Sequence, residues 1–131
     1  MVENRLICTA NEELVHEDKN NIFIGDWCVQ DTQVKKKIVN FNYEICTYHY
    51  NENQDKVKKD WLYLNNLYKR VIIALNKKLN NYHKKNFSRK YWEIILGPTV
   101  VQLLSIFWDR YETLVHLKKN FSIDEVAILK Y

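Results

Sequence analysis

NIFIGDWC, residues 21–28, is the stretch whose reading decides the fold. Its apolar residues fall at adjacent positions, so a strand built from it buries both of its faces. An antiparallel strand with one wet face alternates apolar with polar; a run apolar on both sides fits a parallel sheet covered by helices. Gly25 stands where the strand should end, and Asp26 and Trp27 follow it.

Outward from there, RLICTA (Arg5 to Ala10) reads as another short buried strand. The ten residues Asn11 to Asn20 join the two, with Leu14 and Val15 as their only apolar anchors. A parallel crossover usually takes about a dozen residues, so this link holds at most a turn or two of helix. YEICTYHY (Tyr43 to Tyr50) alternates with period two and is rich in β-formers, which predicts a third strand. The lysines before it, Lys35 to Lys37, read as loop or a frayed helix end. From Asp55 to about Tyr82 the period changes to three or four. Val57, Trp61, Leu64, Tyr68, Val71, Leu75, Leu79 and Tyr82 form one apolar stripe, with most lysines opposite. Asn80-Asn81 close that helix, Ser88 is the N-cap of the next, and the next runs to about Lys119. EVAILKY (Glu125 to Tyr131) is the last strand.

This order predicts an α/β fold: one domain over residues 1–131, a parallel-type sheet of about four short strands packed by two long helices. The last strand reaches residue 131 with nothing after it to cover its face, so the expectation is an edge strand or the first part of a longer lobe.

Composition narrows the class. A chain of 131 residues buries ~65–70% of its extended surface in one domain. At 47% hydrophobic and 14% aromatic it lies far from disordered sequences. Two glycines and one proline are too few turn residues for a sandwich or barrel. The net charge of +4 rests on sixteen lysines and four arginines. Base readout and bidentate phosphate clamps favour arginine, so no nucleic-acid partner is expected; fifteen asparagines point to a general Lys/Asn bias. Three cysteines, Cys8, Cys28 and Cys46, cannot all pair within one chain and show no C-x-x-C spacing. With no signal-peptide pattern at the N-terminus, they predict a reducing, cytoplasmic setting.

YWEIILGPTVVQLLSIFWDRY, residues 91–111, admits three readings. As a membrane span it is short: fifteen uncharged residues, Ile94 to Trp108, lie between Glu93 and Asp109-Arg110, against the ~20 a span needs. No transmembrane span is expected. As a core helix it must kink or restart at Pro98, which lacks an N–H and crowds the carbonyl of Ile94. As the wall of a site it offers a freed carbonyl, a helix N-terminus and the polar side chains of Glu93, Gln102, Asp109 and Arg110. Glu93 is equally suited to pair with Arg89, four residues earlier.

The segment Ser88 to Leu114 resembles the N-terminal region of a family of transferases associated with bacterial surface-polysaccharide and O-antigen biosynthesis. Tyr91-Trp92, Ile94, Gly97-Pro98, Asp109-Arg110-Tyr111 and Leu114 carry the likeness. Lys90 separates Arg89 from Tyr91, and Thr99 replaces an aromatic residue. Phe23 to Cys28 is similar to the family's F-L-G-E-W-C, with Asp26 for glutamate, and Asp60 to Tyr68 echoes its D-x-x-Y-L-x-x-L-Y. The resemblance implies a two-lobed, glycosyltransferase-B-like protein with a Rossmann-like N-terminal lobe. Its C-terminal lobe would hold most of the nucleotide-sugar or nucleotide-alditol donor site, and its N-terminal lobe the saccharide acceptor side. This chain would be the first part of that N-terminal lobe, inactive by itself. The alternative is a non-catalytic α/β binding or scaffold module.

Ligands of open α/β sheets lie beyond the carboxyl ends of the strands. There Gly25 allows close approach, Asp26 serves as hydrogen-bond acceptor or base, and Trp27 is a stacking platform for a sugar; packing alone would also explain Gly25 and Trp27. The candidate substrate-binding residues are Gly25, Asp26, Trp27, Glu93 and Arg110, and the candidate catalytic residues Asp26 and His49. His16, His49, His83 and His116 lack metal-ligand spacing, so neither metal nor cofactor is expected. Arg110 and His116 have the R-x5-H spacing of a class of helical ribonucleases, but the strand-rich N-terminus argues against that class.

Overall fold

A computed structural model describes residues 2–51 and 53–129, and within them the fold is α/β. Strands β1 (Asn4–Ile7), β2 (Asn20–Phe23), β3 (Tyr43–Ile45) and β4 (Glu125–Val126) form one sheet in the order β3-β2-β1-β4. Every pairing is parallel, with Ile7 opposite Phe23, Phe23 opposite Ile45, and Leu6 opposite Val126. Three helices accompany it: α1 (Thr32–Ile38), α2 (Gln54–His83) and α3 (Arg89–Asn120). The chain divides into two compact units, residues 1–51 with 112–131, and residues 52–111.

The first unit is the sheet and its cover. Ile22 and Phe23 point to opposite faces, and both are sealed from solvent, as are Leu6 and Ile7 on β1. Leu14 and Val15 from the first connection, Cys28, Val34 and Ile38 of α1, and Leu117 from the last turns of α3 close over them. Each such side chain contributes about 1.5–3 kcal/mol by leaving water. The first connection holds a single 3₁₀ turn, Glu12–Leu14, as its length predicts. Asn21 is fully buried inside β2 and completely engaged. Its Oδ1 accepts from the His16 N–H, and its Nδ2 donates to the carbonyls of His16 and Lys19.

Several boundaries differ from the sequence reading, each for a local reason. Lys35 to Lys37 belong to a regular helix, because the Asp31 Oδ1 caps it by accepting from the N–H groups of Gln33 and Val34. The expected third strand stops at Ile45, and Tyr48 to Asn51 turn instead. The sheet offers partners only as far as Phe23, whose carbonyl takes the Cys46 N–H at 2.8 Å. Of the last expected strand, Glu125 and Val126 pair at the sheet edge; Lys130 and Tyr131 lie outside the described residues.

The second unit is an antiparallel pairing of α2 with α3. Asn80 meets Trp92, Tyr68 meets Gly97, and the Tyr63 ring lies tilted against Trp108 with ring centroids 4.6 Å apart. Asp60, Leu64, Leu67, Val71, Ile72, Leu75 and Leu79 form the shielded stripe of α2, with Ile72 sealed from solvent. Val57, Trp61 and Tyr82, which the periodicity placed on that stripe, lie exposed. The Ser88 Oγ caps α3 by accepting the Tyr91 N–H at 3.2 Å. Helix α3 runs through Pro98 without interruption, so the segment is one helix rather than two. A Cβ on Gly97 would stand 2.8 Å from the Tyr68 hydroxyl. That glycine therefore lets an α2 side chain lie against the α3 backbone. Helix α3 is long and apolar enough to cross a membrane by length and composition, and only 17% of its most apolar stretch is buried.

Candidate functional site

The carboxyl ends of β1, β2 and β3 form one rim in the sheet unit. The ladder continues one residue past the strands, through Ile24 N–H to the Ile7 carbonyl and Ala127 N–H to the Leu6 carbonyl. Beyond it the rim begins with Cys8, Gly25 and Thr47. The order β3-β2-β1-β4 is that of the first half of a doubly wound sheet, whose direction of winding reverses between β1 and β4. Such folds take ligands at this end, next to the reversal.

Gly25, Asp26 and Trp27 stand at the end of β2. Asp26 to Val29 form a 3₁₀ turn with Gly25 at its cap position. The Gly25 backbone is extended, which any residue adopts; the glycine matters for a different reason. A Cβ there would lie 2.8 Å from Trp27 Nε1 and 3.0 Å from its Cδ1. The indole rests against the bare backbone and remains 44% exposed at the rim. Asp26 is exposed beside it.

At the end of β3, residues 47–50 are a cluster of rings and hydroxyls. His49 is buried between Tyr48 and Tyr50, with ring centroids 4.8 and 4.1 Å away. Tyr48 itself is 50% exposed. The Thr47 Oγ1 lies 3.3 Å from His116 Nε2, which also lies 3.2 Å from the Asn120 amide. His49 is thus enclosed by rings, whereas Trp27, Tyr48 and Asp26 face outward. Desolvation raises the Cys8 thiol, and likewise that of Cys46, above the usual thiol range, so both favour the neutral form. Neither has the electropositive setting that a nucleophilic cysteine needs.

Glu93 and Arg110 belong to the other compact unit. The Arg89 Nε lies 3.1 Å from the Glu93 carboxylate, an i,i+4 pair along the helix. Seventeen residues along one helix separate Glu93 from Arg110 by ~25 Å, too far for one sugar to touch both. Sequence reasoning missed Thr47, Tyr48 and Tyr50, because their period-two pattern reads as strand. The shortness of the neighbouring strands was the available signal against it. The pairing of Thr47 with His116 spans 69 residues and leaves no local trace.

Two other features lie away from the rim. An apolar groove of about 540 Å³, lined by Leu6, Leu114, Leu117, Phe121 and Ile123 with Lys118 and Ser122, sits by the connection from α3 to β4. It offers few of the convergent polar groups that fix a ligand. At the amino end of the strands, Glu125 Oε1 lies 3.0 Å from the Arg5 guanidinium and 2.8 Å from Lys19 Nζ, which also bonds Glu3 at 2.9 Å. The hydrogen bond from Lys19 holds the Glu125 carboxyl below the usual range, and the same pair raises Lys19. Among the described residues no group of three or more His, Cys, Asp or Glu side chains is placed to hold a metal ion.

Residues 4–130 match the family model described as LIC12162 family transferase. No curated protein and no solved structure matches the chain.

Proposed function

The chain belongs to the LIC12162 family of transferases, and on that premise we propose that it supplies the acceptor side of a glycosyl- or related group transferase of cell-surface polysaccharide biosynthesis. In this reading it is the first part of the N-terminal lobe of a two-lobed protein. The donor, a nucleotide-activated sugar or alditol, sits mainly on a second lobe. The observation that carries the reading is the pair of exposed rings, Trp27 and Tyr48, at the carboxyl end of a parallel sheet. Flat apolar ring faces suit the C–H face of a saccharide, with polar atoms alongside to orient its hydroxyls.

In the proposed transfer, Asp26 accepts a hydrogen bond from the acceptor hydroxyl and takes its proton. With a sugar donor the acceptor oxygen bonds to the anomeric carbon as the bond from that carbon to the phosphate oxygen breaks and the nucleoside diphosphate leaves. With an alditol donor it bonds to the alditol-bearing phosphorus as the phosphoanhydride breaks and the nucleoside monophosphate leaves. General-base assistance of this kind contributes about 10²–10⁴-fold. Three free thiols suit a reducing compartment, so we place the reaction in the cytoplasm.

The test uses the full-length transferase with purified saccharide acceptors. Asp26→Asn lowers kcat within about 10²–10⁴-fold and leaves the acceptor KM nearly unchanged. Trp27→Ala raises the acceptor KM about fivefold, the loss of ~1 kcal/mol of ring contact. Gly25→Ala displaces the indole and does the same with little change in stability. Full activity in Asp26→Asn removes the base assignment. An unchanged acceptor KM in both Trp27→Ala and Gly25→Ala moves the acceptor elsewhere.

A further inference from the structure

The charge of this chain is concentrated in one place. Between Asn76 and Glu93 stand Lys77, Lys78, Lys84, Lys85, Arg89 and Lys90, against the single acid Glu93. That segment carries +5 where the whole chain carries +4, so the remaining residues together carry −1. It is the tip of the helical hairpin, where α2 ends and α3 begins. All six cations are exposed, and apart from Arg89 none is ion-paired among the described residues.

The tip is a built structure. Lys84 adopts φ 52°, and the N–H groups of Lys84 and Lys85 return to the carbonyls of Asn81 and Asn80 to close α2. The Asn80 side chain then clamps the connection. Its Oδ1 accepts from the Phe87 N–H at 3.2 Å and the Trp92 indole at 3.0 Å, and its Nδ2 donates to the Phe87 carbonyl at 2.8 Å. Phe87 stacks on Tyr91 with centroids 4.2 Å apart. Tyr82 is 81% exposed at the end of α2, and Ile94 is 70% exposed in the next turn of α3.

We propose that this hairpin tip docks on an anionic membrane surface, independently of which saccharide the rim accepts. Lysines ringed by aromatic residues with aliphatic side chains beyond them match a headgroup layer above acyl chains. Lys90, Tyr91, Ile94 and Ile95 share one flank of α3 by their spacing, so the tip lies on its side: ammonium groups meet lipid phosphates, Tyr91 lies at headgroup level, and Ile94 and Ile95 enter the acyl boundary. The docking is peripheral. Helix α2 carries nine charged residues along its length and packs beside α3, and such a helix does not enter hydrocarbon. Five of the six cations are lysine rather than the arginine that clamps phosphates in pairs, which makes a nucleic acid the poorer match. A second copy docked through the same patch would set +5 against +5. Because the tip is already ordered, docking costs little conformational entropy.

The test is co-sedimentation of the chain with vesicles of phosphatidylcholine, with and without phosphatidylglycerol. Binding to the anionic vesicles, released by salt, is expected. The triple variant Lys78→Gln, Lys85→Gln, Lys90→Gln lowers it on the order of a hundredfold, about fivefold per lysine. The charge-matched control Lys35→Gln, Lys36→Gln, Lys118→Gln removes three exposed lysines of the other unit and leaves binding unchanged. Ile94→Ser keeps every charge and weakens binding several-fold. Equal losses in the two triple variants, equal binding to neutral vesicles, or no response to salt overturns the proposal. So does a chain that ignores anionic vesicles while its tip binds poly(dT) or another copy of itself.

Discussion

In the sheet unit, Ile7, Ile22, Phe23, Cys28 and Val34 are sealed from solvent; in the helical hairpin, Ile72 is the one side chain so enclosed among the described residues. The two units are of similar length and similarly apolar, so composition does not explain the contrast. Geometry does. A central parallel strand has two faces, and both must be covered before the sheet can exist. A helix pair shares a single seam, which leaves most of each circumference outside. In α3 that outside is itself apolar, with Ile94, Val101, Ile106 and Phe107 all open. The sheet unit therefore closes its own core, and the hairpin presents its apolar surface outward.

The largest expected effect tests the closed side of this contrast. Phe23→Ala removes a ring from the middle of the sheet and costs about 3–5 kcal/mol. Hydrogen exchange of the β1 and β2 amides reads the loss; an equal loss of protection in the α2 amides would break the division into two units. On the other side, Ile72→Ala empties the best-filled point of the hairpin seam and costs about 2–4 kcal/mol. Its signature is lost helical ellipticity with the sheet amides still protected. Gly97→Ala is smaller, about 1 kcal/mol, because the added methyl need only displace the far end of Tyr68. A cost near zero would show that the Tyr68 ring moves aside freely, and the Tyr68→Phe background should relieve the cost.

The smallest effect is electrostatic and belongs to the sheet unit alone. The Glu125 carboxyl is depressed in the folded chain, so it contributes stability that is present above the ordinary glutamate range and lost as pH falls through its lowered value. Lys19 is raised, so its contribution is full below the ordinary lysine range and lost as pH rises through its higher value. Between these limits β4 should stay paired. Amide exchange at Val126 and Ala127 is therefore expected to quicken in acid, and Glu125→Gln should flatten that dependence.

Legibility followed the range of the forces involved. Residues 21–24 announced a strand buried on both faces, and the periodicity of α2 and the hydroxyl of Ser88 announced the helices. Those signals depend only on neighbours along the chain. The stripe of α2 was misplaced at both ends: Val57, Trp61 and Tyr82 repeat with the right spacing but lie exposed, while Asp60 beside Trp61 is buried. The site was half legible. Gly25, Asp26 and Trp27 were found because a glycine ending an apolar run marks a strand end. Tyr48 was hidden inside an alternating pattern that the short sheet had no partner strand to use.

By itself, then, the sequence of this protein determined an α/β fold, two long helices and a turn bearing an aspartate and a tryptophan, since propensity and hydrophobic period act locally. Tertiary structure alone decided two others. It set Gly97 of α3 against the Tyr68 hydroxyl of α2, and brought the Thr47 hydroxyl within 3.3 Å of His116. Each depends on what a distant segment places alongside, and steric fit is a property of that arrangement.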